Sequence, residues 1–243
     1  FSQRRSSSSL PEEAARLAKQ YFGYDRVMIY RFDEEWNGEV VAEEKEPEME
    51  SWYGLHYPAT DIPAQSRAMF LKNGMRMISD VNYSPVPIVP ERSPLTRRPL
   101  DISDSALRAV SPIHIEYLKN MGVGASLTAA IAVRGRLWGL LAFHHRTPRF
   151  LDHHSREGCR FLAQLLATEL AVTESETFLQ KTFQMDRKRE QLKRQVKKST
   201  QVSQGLCEGP IKFTDLFPCG GGALYLNGDW SYVGEVPPPQ DLQ

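Results

Sequence analysis

The chain has 243 residues, of which 41% are hydrophobic and 10% aromatic, and its 30 basic side chains balance 30 acidic ones. This length and composition predict one large domain or one domain with part of another, and the neutral balance gives no argument for a nucleic-acid partner. No segment has the apolar length of a signal peptide or a membrane span, so we expect a cytoplasmic fragment without a membrane partner. Three widely spaced cysteines predict unpaired thiols rather than a disulfide framework.

The sequence begins with signals for a helix followed by two strands. A serine run, Pro11 and two glutamates predict a helix start, and the apolar face that follows ends at Gly23. Residues 27–32 are β-rich, and residues 39–42 lead a second strand beyond a turn at Gly38.

The next segments combine stiff backbone with short elements. Residues 57–67, YPATDIPAQSR, place Asp61 between two prolines, neither of which can donate a backbone N–H. A helix over 63–72 and a short strand over 75–78 follow. Residues 82–101 then carry five prolines, and a loop this long inside a compact domain is usually functional or disordered.

The stretch from Arg108 to Thr128, RAVSPIHIEYLKNMGVGASLT, carries more polar side chains than a plain connection needs. An Arg, a His, a Tyr and hydroxyl residues lie where a bound molecule could use them. The alternative is that His114 and Tyr117 are ordinary half-buried polar residues. The stretch by itself favours that alternative, because short motifs often match by chance.

The second half of the sequence predicts a hairpin and a very long helix. Residues 126–133 and 136–145 form two strands joined at Arg134–Gly135. Residues 155–198 contain no proline and one glycine, which indicates one helix, and its basic second half predicts a solvated connection rather than a nucleic-acid arm.

Past Gly205 the pattern changes to short β-rich segments. Residues 223–226 and 230–233 flank Asn227–Gly228, the dipeptide that favours a tight hairpin turn. We expect these residues to be the first strands of a second domain.

Several reaction chemistries are poorly supported. The histidine pairs at 144–145 and 153–154 are adjacent, and adjacent residues of a strand point to opposite faces, so they cannot ligate one metal ion without distortion. The sequence contains no GxSxG elbow for a hydrolase and no Gly-rich phosphate loop. The chain is therefore not expected to be an enzyme or to bind a metal.

A flat, conjugated ligand with carboxylates and ring N–H groups would use the remaining polar residues. Such a ligand needs guanidinium clamps, hydroxyl donors, aromatic packing, an N–H acceptor and partners for ring nitrogens. The candidates, in that order, are Arg76 and Arg108; Ser111, Ser126 and Thr128; Tyr30, Tyr57, Phe70 and Tyr117; Asp61; and His114 and His144.

Three motifs together resemble the bilin-binding GAF domain of phytochromes, above all of bacteriophytochromes. They are YPATDIPAQSR, LDISDSALRAVSPIHIEYLKNMGVGASL and RLWGLLAFHHRTPRF, and the resemblance covers roughly residues 10–175. It implies an α+β fold with a central antiparallel sheet flanked by helices. The domains expected from it are a GAF domain over 1–173, a connecting helix over 174–205 and the start of a PHY domain over 206–243, without the family's N-terminal PAS region.

The resemblance implies a red/far-red photoreceptor module that binds a linear tetrapyrrole, most simply biliverdin. The Asp-Ile-Pro motif, with Asp61 and Ile62, would hold the pyrrole N–H groups through a backbone carbonyl. His114 would lie against the inner rings, and His144 would bond the terminal-ring carbonyl. The propionate partners would be Arg76, Arg108, Ser111, Ser126 and Thr128, and the aromatic cage would be Tyr30, Tyr57 and Tyr117.

Two positions depart from the pattern of the family. Plant and cyanobacterial phytochromes attach bilin through a Cys before the motif histidine, where this sequence has Ile113. Bacteriophytochromes use a Cys ahead of a PAS domain, and the sequence contains neither, so biliverdin is expected to bind without a covalent bond. Phe143 stands where the family often has a small residue, and we expect it to tighten the pocket near His144.

The resemblance also implies partners for the longer protein. They are a second copy of the chain, contacting the GAF and long-helix surface, and an output histidine kinase. The alternative function is a GAF domain that senses a cyclic nucleotide or another small metabolite and regulates an attached enzyme. The paired Arg76 and Arg108 would serve a phosphate as well, but the Asp-Ile-Pro motif and His114 would then have no role.

Overall fold

A computed structural model describes residues 9–106, 108–238 and 241 of the chain. The chain divides into two compact units, the first reaching Thr173 and the second beginning at Glu174. The expected domain ends at residues 1–8 and 242–243 lie outside the described residues. In the part that is described, no helix is both long and apolar enough to cross a membrane.

The first unit is built around one antiparallel sheet of six strands, in the order β3-β2-β1-β6-β5-β4. This arrangement confirms the predicted mixed fold with a central antiparallel sheet. The elements in chain order are α1 Ser9–Phe22, β1 Arg26–Phe32, β2 Gly38–Lys45, β3 His56–Tyr57, α2 Ala64–Asn73, β4 Met75–Ile78, α3 Pro112–Asn120, β5 Ala125–Val133, β6 Arg136–His145 and α4 His153–Lys198.

One face of the sheet carries the main apolar core. Successive side chains of a strand point to opposite faces, so β5 contributes Leu127, Ala129 and Ile131 to this face. Small and apolar residues of α1 and α4, such as Ala18 and Leu166, cover it. At about 25 cal/mol per Å² of apolar surface, this burial is the main favourable term in the stability of the unit. The opposite face of the sheet is not covered by α1 and α4.

The turn between β5 and β6 has the geometry that the sequence predicts. Arg134 and Gly135 have φ values of 51° and 78°. Positive φ at both central residues is typical of the type I′ turn, whose twist matches the strands of a hairpin. The predicted strands at 75–78 and 136–145 are present with those bounds.

The long helix begins and ends close to its predicted bounds. Helix α4 spans His153–Lys198, and a separate helix, α5 Val202–Cys207, follows it. The expected connecting segment, 174–205, is therefore interrupted at 199–201. Ser199 donates from its hydroxyl to the Gln195 carbonyl at 2.9 Å, a local bond by which serine competes with helical continuation.

The second unit contains the predicted second hairpin. Strands β7 Gly221–Leu226 and β8 Asp229–Gly234 pair antiparallel around Asn227 and Gly228, whose φ values are 54° and 97°. A short 3₁₀ turn over Phe213–Leu216 precedes them. The Gln195 amide donates to the Gly205 and Ile211 carbonyls at 2.6 and 2.7 Å, which ties α5 and the residues after it to α4.

Candidate functional site

The second face of the sheet collects polar side chains from four strands. Arg76 of β4 pairs with Thr128 of β5, and Ser126 of β5 pairs with His144 of β6. Tyr30 of β1 lies on the same face, beside the apolar residues of a small cluster. Because strand neighbours alternate, these five residues are separated from the core face that α1 and α4 cover. Residues more than a hundred positions apart in the sequence thus lie on one surface.

Of the two histidines in the predicted site, His144 is the more deeply buried. It is 9% exposed, and its Nδ1 atom is buried without a hydrogen-bond partner. Burial, the Arg26 charge and His114 lower the pKa of His144 to about 3. A buried polar atom without a partner costs about 1–3 kcal/mol, so a ring in this state suits a site that receives a ligand.

Helix α3 presents His114 and Tyr117 one turn apart. Its first residue is Pro112, and Ser111 precedes it without making a side-chain cap bond, so the Ser111 hydroxyl is not used by the helix. The rings of His114 and Tyr117 stack with centroids 6.3 Å apart. Burial and the Arg76 charge lower the pKa of His114, which favours the neutral imidazole.

Three tyrosines converge on Asp61. The Tyr30 and Tyr57 ring centroids are 5.9 Å apart. Burial raises the pKa of Tyr30, Tyr57 and Tyr117, and the negative charge of Asp61 adds to the increase for each of them. All three phenols therefore keep their protons and can donate hydrogen bonds.

The Asp-Ile-Pro segment is held from its flanks. The Arg67 guanidinium donates to the Ala59 carbonyl at 3.2 Å and to the Ile62 carbonyl at 2.5 Å. Ile62 and Phe70 pack in the small apolar cluster beside Tyr30. Ile62 and Phe70 therefore support the segment by apolar packing and offer no polar side chain to a ligand.

Arg76 and Arg108 form a pair of guanidinium groups next to the sheet face. Arg76 donates to the Ala106 carbonyl at 3.1 Å and to the Arg108 carbonyl, and Arg108 donates to the Ser105 carbonyl at 2.9 Å. Burial and the Arg108 charge lower the pKa of Arg76. Among the described residues, no carboxylate forms an ion pair with either. Two neighbouring cations without a counter-charge suit an anionic group of a ligand.

No thiol lies at the position where the resemblance would place one. Ile113 of α3 is 79% exposed and carries no nucleophile. Cys159 is buried on the core face, and burial raises its pKa to about 12, so it remains an unreactive thiol. Among the described residues, no cluster of three or more His, Cys, Asp or Glu side chains could hold a metal ion.

The expected effect of Phe143 on the pocket is wrong. Phe143 is fully buried in the core face, where its ring packs against Phe22 and Tyr24 at centroid distances of 5.7 and 5.3 Å. Because it precedes His144 on a strand, it points to the opposite side of the sheet. Its size therefore fills the core and does not tighten the surroundings of His144.

Sequence reasoning missed two residues next to His144, Arg26 and Trp52. It also missed Glu43, which forms a buried ion pair with Arg26. Lone charged residues in a sequence usually predict surface positions. One signal was present nonetheless, because Arg26 precedes Tyr30 by four residues in the same strand and so belongs to the same face.

Comparison with known proteins defines the class. The sequence-family model of the GAF domain matches residues 9–173, and the chain belongs to the GAF domain family. Within that family it is similar to phytochromes and bacteriophytochromes, which confirms the resemblance drawn from its motifs.

Three relatives illustrate the similarity. Cyanobacterial phytochrome B of Nostoc sp. is 40% identical over 98% of this chain and 32% of its own length. A bacteriophytochrome of Xanthomonas campestris pv. campestris is 50% identical over 68% of this chain and 27% of its own length. The crystal structure of a bacteriophytochrome from the photosynthetic bacterium R. palustris is 32% identical, with a TM-score of 0.87 over 99% of this chain and 48% of that chain. The chain thus spans about a third of the length of these curated relatives.

Proposed function

We propose that the second face of the sheet binds a linear tetrapyrrole, biliverdin, and that the chain is a light-sensing module. The observation that carries the proposal is the meeting of three features on one surface. These are two uncharged histidines, a tyrosine cluster around Asp61, and two guanidinium groups that have no carboxylate partner within the described part of the chain. A flat ligand with ring N–H groups, a carbonyl and two carboxylates complements all three.

The proposed contacts follow from the chemistry of each group. Arg76 and Arg108, with Ser111, Ser126 and Thr128, bind the propionates by charge-assisted and hydroxyl hydrogen bonds. His114 lies against the inner rings, and His144 pairs its buried nitrogen with a polar group of the outer ring. The Asp61 carbonyl accepts from pyrrole N–H groups, while the aromatic set of Tyr30, Tyr57, Phe70 and Tyr117, with Ile62, excludes water.

When bound, the bilin supplies absorption of red light and isomerisation of a methine double bond. The residues of this chain orient it, protect it from water and hold neutral hydrogen-bonding groups around it. Red/far-red sensing is the function that these roles support, following the phytochrome relatives. Sensing of a cyclic nucleotide is the alternative, and Arg76 and Arg108 are the only residues of the described site that it would use.

Attachment in this chain is proposed to be non-covalent. Ile113 offers no thiol beside His114, and Cys159 lies on the opposite face of the sheet. Chromatography of the biliverdin complex in denaturing solvent is expected to separate pigment from protein. Pigment that elutes with the unfolded chain would contradict this assignment.

The remaining assignments concern the longer protein. We propose a cytoplasmic location, a homodimer through the GAF and α4 surface, and regulation of a histidine kinase that lies outside this chain. The domain bounds proposed are 1–173, 174–205 and 206–243, the last as the start of a PHY domain. The GAF match over residues 9–173 supports the first of these three segments.

Isothermal calorimetry separates the two candidate functions. Biliverdin is expected to bind with saturation at one site per chain, and cyclic AMP and cyclic GMP are expected to give no heat beyond dilution. Saturable binding of a cyclic nucleotide together with no binding of biliverdin would overturn the proposal.

A further inference from the structure

Glu43 is the centre of a buried polar cluster next to the proposed bilin site. Its side chain is 3% exposed. It accepts from the Ser51 hydroxyl at 2.6 Å and from the Trp52 backbone N–H at 3.1 Å, and its Oε1 lies 3.0 Å from the Arg26 Nε. A buried carboxylate with this many partners is compensated for its loss of water. The loop that carries Trp52 is thereby fixed to β2.

Arg26 completes the cluster from β1. Its side chain is 2% exposed, and its guanidinium carbon lies 3.4 Å from the centroid of the Trp52 ring. It also donates to the Glu50 carbonyl. The Arg26 Nε lies at ion-pair distance from Glu43 but makes no hydrogen bond. A guanidinium that stacks on an indole beside a carboxylate restricts the positions that the indole can take.

The cluster touches His144 on two sides. Arg26 is the register partner of His144 across β1 and β6. The Trp52 ring meets the His144 ring edge to face, with centroids 5.7 Å apart and planes at 74°. On the other side, Ser126 of β5 is the register partner of His144. The imidazole thus lies between an anchored indole, a cation and a hydroxyl.

We propose that Arg26, Glu43 and Trp52 act as one positioning unit, which fixes the His144 ring in the orientation that it presents to a bound bilin. Only the identity of the ligand in this inference rests on the proposed function. The anchoring of His144 is a property of the protein without ligand, and it is measurable there.

The charges around His144 support this role. Among the described residues, the charged or titratable groups that act on His144 are Arg26 from β1 and His114 from α3. Glu43 is the ion-pair partner of Arg26. Arg26 and His114 disfavour a second cation, and burial acts in the same direction. A neutral imidazole has one donor and one acceptor nitrogen, so its hydrogen bond to a ligand depends on how the ring is turned. The fixed indole ring in contact with the imidazole sets that orientation.

The test replaces the ion pair by neutral side chains of similar size. In the double variant Arg26→Met/Glu43→Gln, no charge is left unpaired in the interior. Its matched control is Arg31→Met/Glu39→Gln, which removes the 2.6 Å ion pair between the same two strands at a site that does not touch His144. Trp52→Leu removes the ring and keeps the ion pair, and the neighbouring exposed Tyr53→Leu is its control.

The first readout is taken without bilin. Nuclear magnetic resonance of chains labelled at histidine follows the pKa of the His144 imidazole. Loss of the Arg26 charge is expected to move that pKa upward by roughly one unit or more, while the Arg31→Met/Glu39→Gln control titrates like wild type. If the double variant does not fold, Trp52→Leu decides the question. In that variant, the side-chain couplings of His144 are expected to show averaging between rotamers. An unchanged titration and an unchanged rotamer would overturn the positioning role.

The second readout adds biliverdin. Trp52→Leu is expected to weaken binding roughly two- to tenfold, the loss for one misplaced hydrogen bond, and Tyr53→Leu is expected to bind like wild type. If wild type itself binds no biliverdin, the proposed function fails, and the first readout still decides whether the unit positions His144. Equal biliverdin affinity in Trp52→Leu and wild type would show that the unit does not serve the ligand.

Discussion

The Tyr30 ring lies directly over Gly38 of the neighbouring strand. A Cβ atom placed at Gly38 would be 1.7 Å from the Tyr30 Cζ, although the backbone there has no unusual φ. A methyl group at this position would therefore require the Tyr30 ring to move. Glycine at 38 is explained by the space that Tyr30 takes.

Gly38→Ala is expected to lower the free energy of unfolding by roughly 1–3 kcal/mol, the usual cost of overpacking. In a Tyr30→Ala background the same substitution is expected to cost much less, because its clash is gone. Urea unfolding of the four proteins of this cycle measures the coupling. Equal costs in both backgrounds would show that Tyr30 is not the residue that excludes the methyl group.

His144 predicts a loss of stability in acid. Its pKa is about 3 in the folded chain, against an ordinary value of 6.5, so between these pH values the unfolded chain binds the extra proton. Stability from this residue is fully present above pH 6.5 and falls as the pH drops towards 3, by up to about 1.4 kcal/mol per pH unit.

His144→Asn is expected to remove this part of the acid sensitivity. The urea midpoint of the variant should fall less between about pH 6.5 and pH 4.5 than that of wild type. His153→Asn, at an exposed position of α4, is the control and should follow the wild-type profile. Parallel profiles for wild type and His144→Asn would contradict a buried neutral imidazole.

Arg108 is the residue whose removal tests the carboxylate clamp. Arg108→Ala is expected to weaken biliverdin binding by roughly 1.5–3 kcal/mol, because a propionate then loses a charge-assisted contact. Arg98→Ala removes the same charge from an exposed position of the preceding loop and should leave the affinity unchanged. Equal losses in the two variants would assign the effect to net charge rather than to a clamp.

At the scale of elements, the alternation of β5 explains how much of the site the sequence could predict. Ser126 and Thr128 are two residues apart and share a face, and the structure places Arg76 and His144 beside them. Residue types and strand bounds predict that Ser126 and Thr128 share a face, whereas the pairing that brings Arg76 and His144 beside them is known only from the sheet. Phe143 was misassigned because it was considered by its position in a motif rather than by its side of the strand.

The cluster of Arg26, Glu43 and Trp52 shows what sequence patterns miss. Its members come from β1, β2 and the loop after β2, and burial of a charge pair depends on three-dimensional partners that no local pattern contains. The two-residue strand β3 was missed for a related reason. It exists through pairing with Gly38 and Glu39, and two residues are too few to show a period.

Helix α4 has an apolar stripe opposite its buried face. In the first unit, Phe161, Leu165 and Val172 are 66%, 47% and 50% exposed, at the four- and seven-residue spacing of a helix seam. We expect this stripe to contact a second copy of the chain. Leu165→Glu/Val172→Glu should convert a dimer into a monomer in size-exclusion chromatography with light scattering.

Gln164→Glu is the control for the α4 prediction, since it adds a charge at an exposed position next to Leu165. It should leave the dimer intact. A wild-type chain that is monomeric at every accessible concentration, or a dimer that survives both charges in the stripe, would show that α4 is not the contact.

At the scale of the whole molecule, the chain combines a GAF unit with a second, smaller unit and spans about a third of its curated relatives. The fold and family follow from motifs, topology and comparison. We propose that the polar face of the sheet holds a bilin that responds to light.

The absorption spectrum of the chain with biliverdin, recorded in the dark and after red light, tests that claim most directly. We expect a long-wavelength band that pigment in buffer lacks and that changes on red illumination. The band should be weaker for Arg108→Ala and unchanged for Arg98→Ala. A folded chain whose mixture with biliverdin shows only the spectrum of pigment in buffer, before and after illumination, would contradict the account.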